Sequence, residues 1–171
     1  MLLQRGRKLN NSKKMRMCAS VNIELPGLRM VEPTERDGYM IVARDLLQGV
    51  EALSTLPNVP SRAAVFIAAH ALECALHAFL WHKGVDAGRK PKVWHDLLAL
   101  WGMACKEGLN IPQASPDWVT ILSSGHGRPF YFRYQKGKQG TVVHGGQTPA
   151  LIPMAVELKK FIEIVELAVK G

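Results

Sequence analysis

Two histidines and a glutamate, His70, Glu73 and His77, break an otherwise apolar run from Ser61 to Gly84. Imidazoles and carboxylates move protons near neutral pH and also ligate transition metals, so their spacing decides which chemistry is open to them. On a helix, with successive residues about 100° apart, the three fall within roughly 60° of one another, on a strip shared with Ala63 and Phe66. The order His-x-x-Glu-x-x-x-His differs from the His-Glu-x-x-His of helical zinc proteases and from the Glu-x-x-His pairs and extra carboxylates of di-iron bundles. The expectation is therefore no metal, no cofactor, and a buried network in which Glu73 pairs with His77 one turn away. A buried polar group without a partner costs on the order of 1–3 kcal/mol. His95 and Asp96 are expected to supply the remaining partners, which gives a polar core of His70, Glu73, His77, His95 and Asp96.

Other chemistry is thinner. Ser123, Ser124 and His126 are close in sequence, but no strand, turn and helix pattern of a nucleophile elbow surrounds them. Gly125-His-Gly127 is too short for a phosphate cradle, and no Gly-x-x-x-x-Gly-Lys-Ser/Thr loop occurs. Basic residues, by contrast, gather in two loops. Arg89, Lys90 and Lys92 form one group; Arg128, Arg133 and Lys136 form the other, in a stretch without an acid between Asp117 and Glu157. The run Arg128-Pro-Phe-Tyr-Phe-Arg-Tyr134 interleaves aromatics with arginine, a composition that suits either an extended segment packed on the protein or a surface that stacks bases and binds phosphate.

The elements that must position these groups are helices. A first helix is expected from Glu35 to Leu53, with Tyr39, Val42, Ala43, Leu46, Val50 and Leu53 at helical period and with Gly38 and Gly49 weakening it. The apolar run forms a second, ended by Gly84. A third is expected over Val93–Glu107, ending at Gly108, with Trp94, Leu97, Leu98 and Trp101 in its buried stripe. Ser115-Pro-Asp117 reads as the start of a short fourth helix, with a capping serine and proline at the first position, ending near Gly125. Ile152–Val169 closes the chain, turning Ala155, Leu158, Ile162 and Val165 inward and Glu157, Lys160 and Glu163 outward. The expected fold is an all-α, up-and-down bundle of four to five helices, with a short extended or loop segment before the last.

Composition sets the outer limits. The chain has 171 residues, 47% hydrophobic and 21% charged, enough for one well-filled core. Its formal charge of +8 is concentrated in Met1–Met30, where seven basic residues face the single acid Glu24. Residues 1–30 are accordingly expected to be a basic, flexible extension, with Met15 and Met17 as alternative starts, and residues 31–171 a helical domain. The extension lacks the apolar stretch of a secretory signal, and the polar residues of the second helix come too early for the roughly 20 apolar residues of a bilayer span. Cys18, Cys74 and Cys105 share no short spacing, as suits reduced thiols in a cytoplasmic protein without a membrane.

Taken in order, His70-Ala-Leu-Glu73-x-x-Leu-His77-x-Phe-Leu, Lys83-Gly84, Trp94-His95-Asp96-Leu97, Arg133-Tyr134 and a closing helix resemble the HEPN superfamily, across about residues 34–170. Domains of that kind accompany nucleotidyltransferases and occur in toxin–antitoxin and RNA-cutting defence systems. The resemblance implies a helical bundle paired into a homodimer. Catalytic members carry Arg followed by His after a short spacer, and in the dimer promote attack of a ribose 2′-hydroxyl on the neighbouring phosphate. Here Arg133 meets no histidine before His144, and Arg89-x5-His95 fits the count at an earlier place in the chain. The reading is thus a non-catalytic domain that binds a nucleotide, RNA or a partner protein through Arg89, Lys90, Lys92, Arg128, Arg133 and Lys136. A metal-independent ribonuclease using Arg89 and His95 with Arg133, and a structural adaptor to a nucleotidyltransferase, are the alternatives.

Overall fold

The computed structural model describes residues 35–57, 61–85, 87, 93–128, 130, 132–133 and 151–170. They form five helices and, among the described residues, no strand: α1 (Glu35–Ser54), α2 (Ser61–His82), α3 (Leu97–Lys106), α4 (Asp117–His126) and α5 (Leu151–Lys170). The fold is an all-α helical bundle. By compactness the chain divides into Met1–Val31 and Glu32–Gly171, and every described residue lies in the second unit. The N-terminal extension, Arg89, Lys90, Lys92 and Lys136, and the segment expected before the last helix lie outside the described residues.

The sequence of α2 explains its place. Residues 71–80 are all buried, and the helix packs against each of the other four. Ala64, Ala68, Ala71, Ala75 and Ala78 let neighbouring backbones approach, while Leu72, Leu76, Phe79 and Leu80 fill the spaces between them. Each of these large side chains contributes roughly 1.5–3 kcal/mol on burial, so the helix is held at the centre by packing, not by its polar seam. By length and hydropathy Arg62–His82 could cross a bilayer, yet most of it is covered by the rest of this bundle.

Both glycine terminators act as their positions suggest. Gly84, at φ +73°, lets Val85 N–H donate to Leu80 and its own N–H donate to Trp81. Gly108, at φ +87°, does the same for α3, with Leu109 bonded to Ala104 and Gly108 to Cys105. This double bond satisfies carbonyls that the helix leaves open, in a conformation that suits glycine.

Three boundaries and two faces differ from expectation. α3 begins at Leu97, not Val93, because Asp96 caps it: its carboxylate accepts from Ala99 N–H at 3.0 Å. Asp96 is therefore an exposed cap and not a member of the polar core. With Val93–His95 in a turn, Trp94 is 45% exposed instead of buried, and Leu98 also faces outward. α4 begins at Asp117, with extended Pro116 as the flanking residue and no side-chain cap, and it continues to His126. On α1 the buried face is Met40, Ala43, Leu47 and Val50, which leaves Val42 exposed. α5 buries Ala155, Leu158, Ile162 and Val165 and exposes Glu157, Lys160 and Glu163. Its Phe161 ring stacks on Trp101, whose indole N–H donates to the Pro112 carbonyl.

Cys74 is buried, and burial together with the neighbouring Glu73 charge pushes its thiol up to about 12; Cys105 is half-buried and is also pushed up. Both are free thiols with little thiolate at neutral pH.

Gly102 lies inside α3 with open space where a Cβ would stand. Gly102→Ala should raise stability by about 0.5–1 kcal/mol, because it removes the entropic penalty of a mid-helix glycine. Gly108→Ala, strained by its left-handed backbone, should lower stability by roughly 1 kcal/mol. Urea midpoints of the two variants measure the contrast.

Candidate functional site

Glu73 is 3% exposed, in the middle of the most buried helix, and such a carboxylate survives only if donors surround it. Three imidazoles converge on it from three elements. His95 Nδ1, in the turn before α3, donates to Oε1 at 3.0 Å and lies 3.2 Å from Oε2. His126 Nε2, in the last turn of α4, donates to Oε2 in a very short contact. His70, one turn back on α2, brings Nδ1 to 3.8 Å from Oε2, beyond hydrogen-bond reach.

His77 makes no hydrogen bond to Glu73. Its Nε2 stands 3.9 Å from the carboxylate and donates instead to the Trp94 carbonyl at 3.2 Å, while its ring stacks on Tyr39. The late start of α3 makes this possible, since the turn at Val93–His95 presents a backbone carbonyl and an imidazole to α2 side by side. His77 thus holds the turn in place, and His95 is positioned through it.

Because a carboxylate only accepts, His95 carries its proton on Nδ1 and His126 on Nε2. Burial pushes the Glu73 carboxyl up, but contacts from His126 and His70 and the positive potential of His126 and His95 outweigh it. The group is held well below the usual carboxylate range. Two ring nitrogens, His70 Nδ1 and His126 Nδ1, are buried without a hydrogen-bond partner. Ligand atoms of His70, Glu73 and His126 lie within 4.8 Å of one another, the donor set of a candidate cation site.

One flank of the cluster is open. The His70 and His95 side chains are 37% and 30% exposed. Phe66 stacks on His70, Phe130 meets His95 edge-on, and Trp94 stacks on the His95 ring at 5.7 Å. Above them the Arg133 guanidinium sits 5.5 Å from the Phe66 ring centre and 5.4 Å from that of Phe130. Among the described residues no carboxylate pairs with Arg133. Phe130 adopts φ 63°, a left-handed conformation that non-glycine residues occupy at a cost of roughly 1–2 kcal/mol. Its carbonyl accepts from Arg133 N–H at 2.9 Å.

Gly125 seats this turn. Phe132 N–H donates to the Gly125 carbonyl, and the Phe132 ring lies where a Gly125 side chain would be, so any Cβ there would overlap it. A glycine inside α4 is thereby explained: it admits Phe132, and Phe132 holds Phe130 and Arg133 over the histidines.

Of the residues expected to act, the structure brings His70, Glu73, His77, His95 and Arg133 to one region. Arg128 is exposed beyond the end of α4. His126 is the principal residue that sequence reasoning missed. A fourth helix ending near Gly125 leaves it outside, although Val119, Leu122 and His126 fall on one helical stripe, which is the buried face of α4.

Glu73→Gln keeps the shape and removes the charge, and should lower stability at pH 7 by roughly 3 kcal/mol. The folded-state value of this carboxyl lies below the ordinary 4.5. Its stabilisation is therefore complete above that pH and fades as pH falls further toward the folded value. Urea titrations across the acid range should show wild type losing more stability below pH 4.5 than Glu73→Gln. Parallel acid limbs would mean that the buried group is not ionised in the fold.

Compared with known proteins, the chain matches no protein-family model, no curated protein and no solved structure.

Proposed function

We propose that this chain is a HEPN-like helical domain that binds a phosphate-bearing ligand, a nucleotide or single-stranded RNA, at the face formed by Arg133, Phe66, Phe130, Trp94 and His95. The observation that carries the reading is the placing of Arg133. A guanidinium bracketed by two aromatic rings, with no carboxylate partner among the described residues, is oriented to meet a phosphate. Beside it, Trp94 is 45% exposed and lies on the His95 ring, offering the flat apolar surface on which a base stacks. The order of motifs along the chain supports the same reading, and the homodimer it implies belongs to the proposal. Arg89, Lys90, Lys92, Arg128 and Lys136 would extend the contact to further phosphates.

A second reading draws on one specific observation. Glu73 holds the Nδ1 proton of His95, which leaves Nε2 as the basic nitrogen of a half-exposed imidazole near an arginine. A buried carboxylate orienting a histidine is an arrangement suited to general-base work. In that case His95 would take the proton of a ribose 2′-hydroxyl, the 2′ oxygen would attack the adjacent phosphorus, and the 5′ oxygen would leave and take up a proton from solvent, with Arg133 neutralising the phosphate.

Fluorescently labelled RNA oligonucleotide, titrated in chelator, tests both. Binding should weaken steeply with salt, and Arg133→Ala or Trp94→Ala should each weaken it about tenfold or more, as the loss of one base stack or charged contact predicts. Binding that ignores salt, or none at low salt, overturns the proposal. Cleavage of the RNA that disappears in folded His95→Ala would move the assignment to the ribonuclease.

A further inference from the structure

We propose that His70, Glu73 and His126 form a binding site for one divalent transition-metal ion, zinc foremost, with His95 as the group that steadies the carboxylate. The linear spacing of α2 alone suggests no metal, because a helical motif requires its ligands on one helix. The fold supplies the third ligand from α4. The site is assembled from one turn of α2 and the last turn of its neighbour.

Four observations point to it. The ligand atoms lie within 4.8 Å of one another, in a cluster whose glutamate is nearly inaccessible to water. His70 Nδ1 is buried without a hydrogen-bond partner, although its ring edge faces Glu73. Its distance to Oε2, 3.8 Å, is too long for a hydrogen bond and close to the separation of two ligands sharing an ion, roughly 3.4 Å for tetrahedral zinc. Finally, His95 Nδ1 reaches Oε1 at 3.0 Å and Oε2 at 3.2 Å, which fixes the carboxylate with Oε2 in contact with His126 Nε2 and 3.8 Å from His70 Nδ1. That is the usual task of an outer group around a metal centre.

The donor set names the class of ion. Two imidazoles and one carboxylate suit Zn2+ and its first-row neighbours, and fit poorly with Ca2+ or Mg2+, which prefer oxygen throughout. Binding needs a bare Nε2 on His126, so that its proton passes to the unpartnered Nδ1 of the same ring, and it requires the ring to back away from Glu73, since their present contact is shorter than two ligands of a common ion would keep. Three protein ligands leave a fourth position, and the partly exposed His70 puts that position on the open flank. Water or an anionic oxygen would complete the shell of an ion held there.

The full chain, without an affinity tag and dialysed against chelator, is titrated with ZnCl2 in a calorimeter and separately with Co2+ in a spectrophotometer. The expected result is one ion per chain and a visible Co2+ band of a four- or five-coordinate site. His70→Ala, at a partly exposed position where folding should survive, is expected to weaken Zn2+ at least tenfold and alter the Co2+ band. His82→Ala, a histidine outside the cluster, should change neither. Absence of a one-to-one isotherm, or affinity and spectrum unchanged in His70→Ala, overturns the proposal. Because RNA binding is measured in chelator, the two proposals fail independently.

Discussion

The ionised carboxylate of Glu73 is the constraint around which the rest is arranged. Removing such a group from water is unfavourable by several kcal/mol unless donors replace the hydration it loses. Here the donors come from different elements, so satisfying one side chain fixes the turn before α3 and the end of α4 against α2. The packing of leucines and alanines places α2 at the centre. The carboxylate then dictates which way its neighbours face, something apolar contacts, which have no direction, do far less well.

Histidine suits this role because its two nitrogens can serve two masters. His95 gives one to Glu73 and keeps the other toward the open flank, while Phe130 and Trp94 limit the tilt of its ring. His77 spends Nε2 on a backbone carbonyl and so acts one step removed from the cluster. The same residue type thus appears in two settings within a few ångströms: His77 and His126 are enclosed, His70 and His95 reach the surface.

The helices were legible in the sequence because apolar period and glycine terminators are local signals. α1, α2 and α5 follow them to within a residue or two. The start of α3 was harder: Trp94 continues the apolar pattern, and only the capping geometry of Asp96 shows that the helix has not begun. The site was half legible. Glu73 and its histidines stood out against an apolar background, and His95 was named as a partner from sequence. His126 was hidden because its partner lies 53 residues away, and no local pattern marks a residue whose role is set by tertiary packing. The left-handed Phe130 and the seating of Phe132 on Gly125 were equally out of reach, since both depend on the path of a loop.

The seat at Gly125 ties the surface to the interior. Arg133 stands at the end of a tight turn whose Phe132 is bonded and packed onto α4 one residue before His126. Anything that tugs on the guanidinium from outside therefore pulls on the helix end that carries an innermost imidazole. The link is only a few bonds long, so a shift of the Arg133 turn and a shift of the His126 ring are mechanically geared to one another.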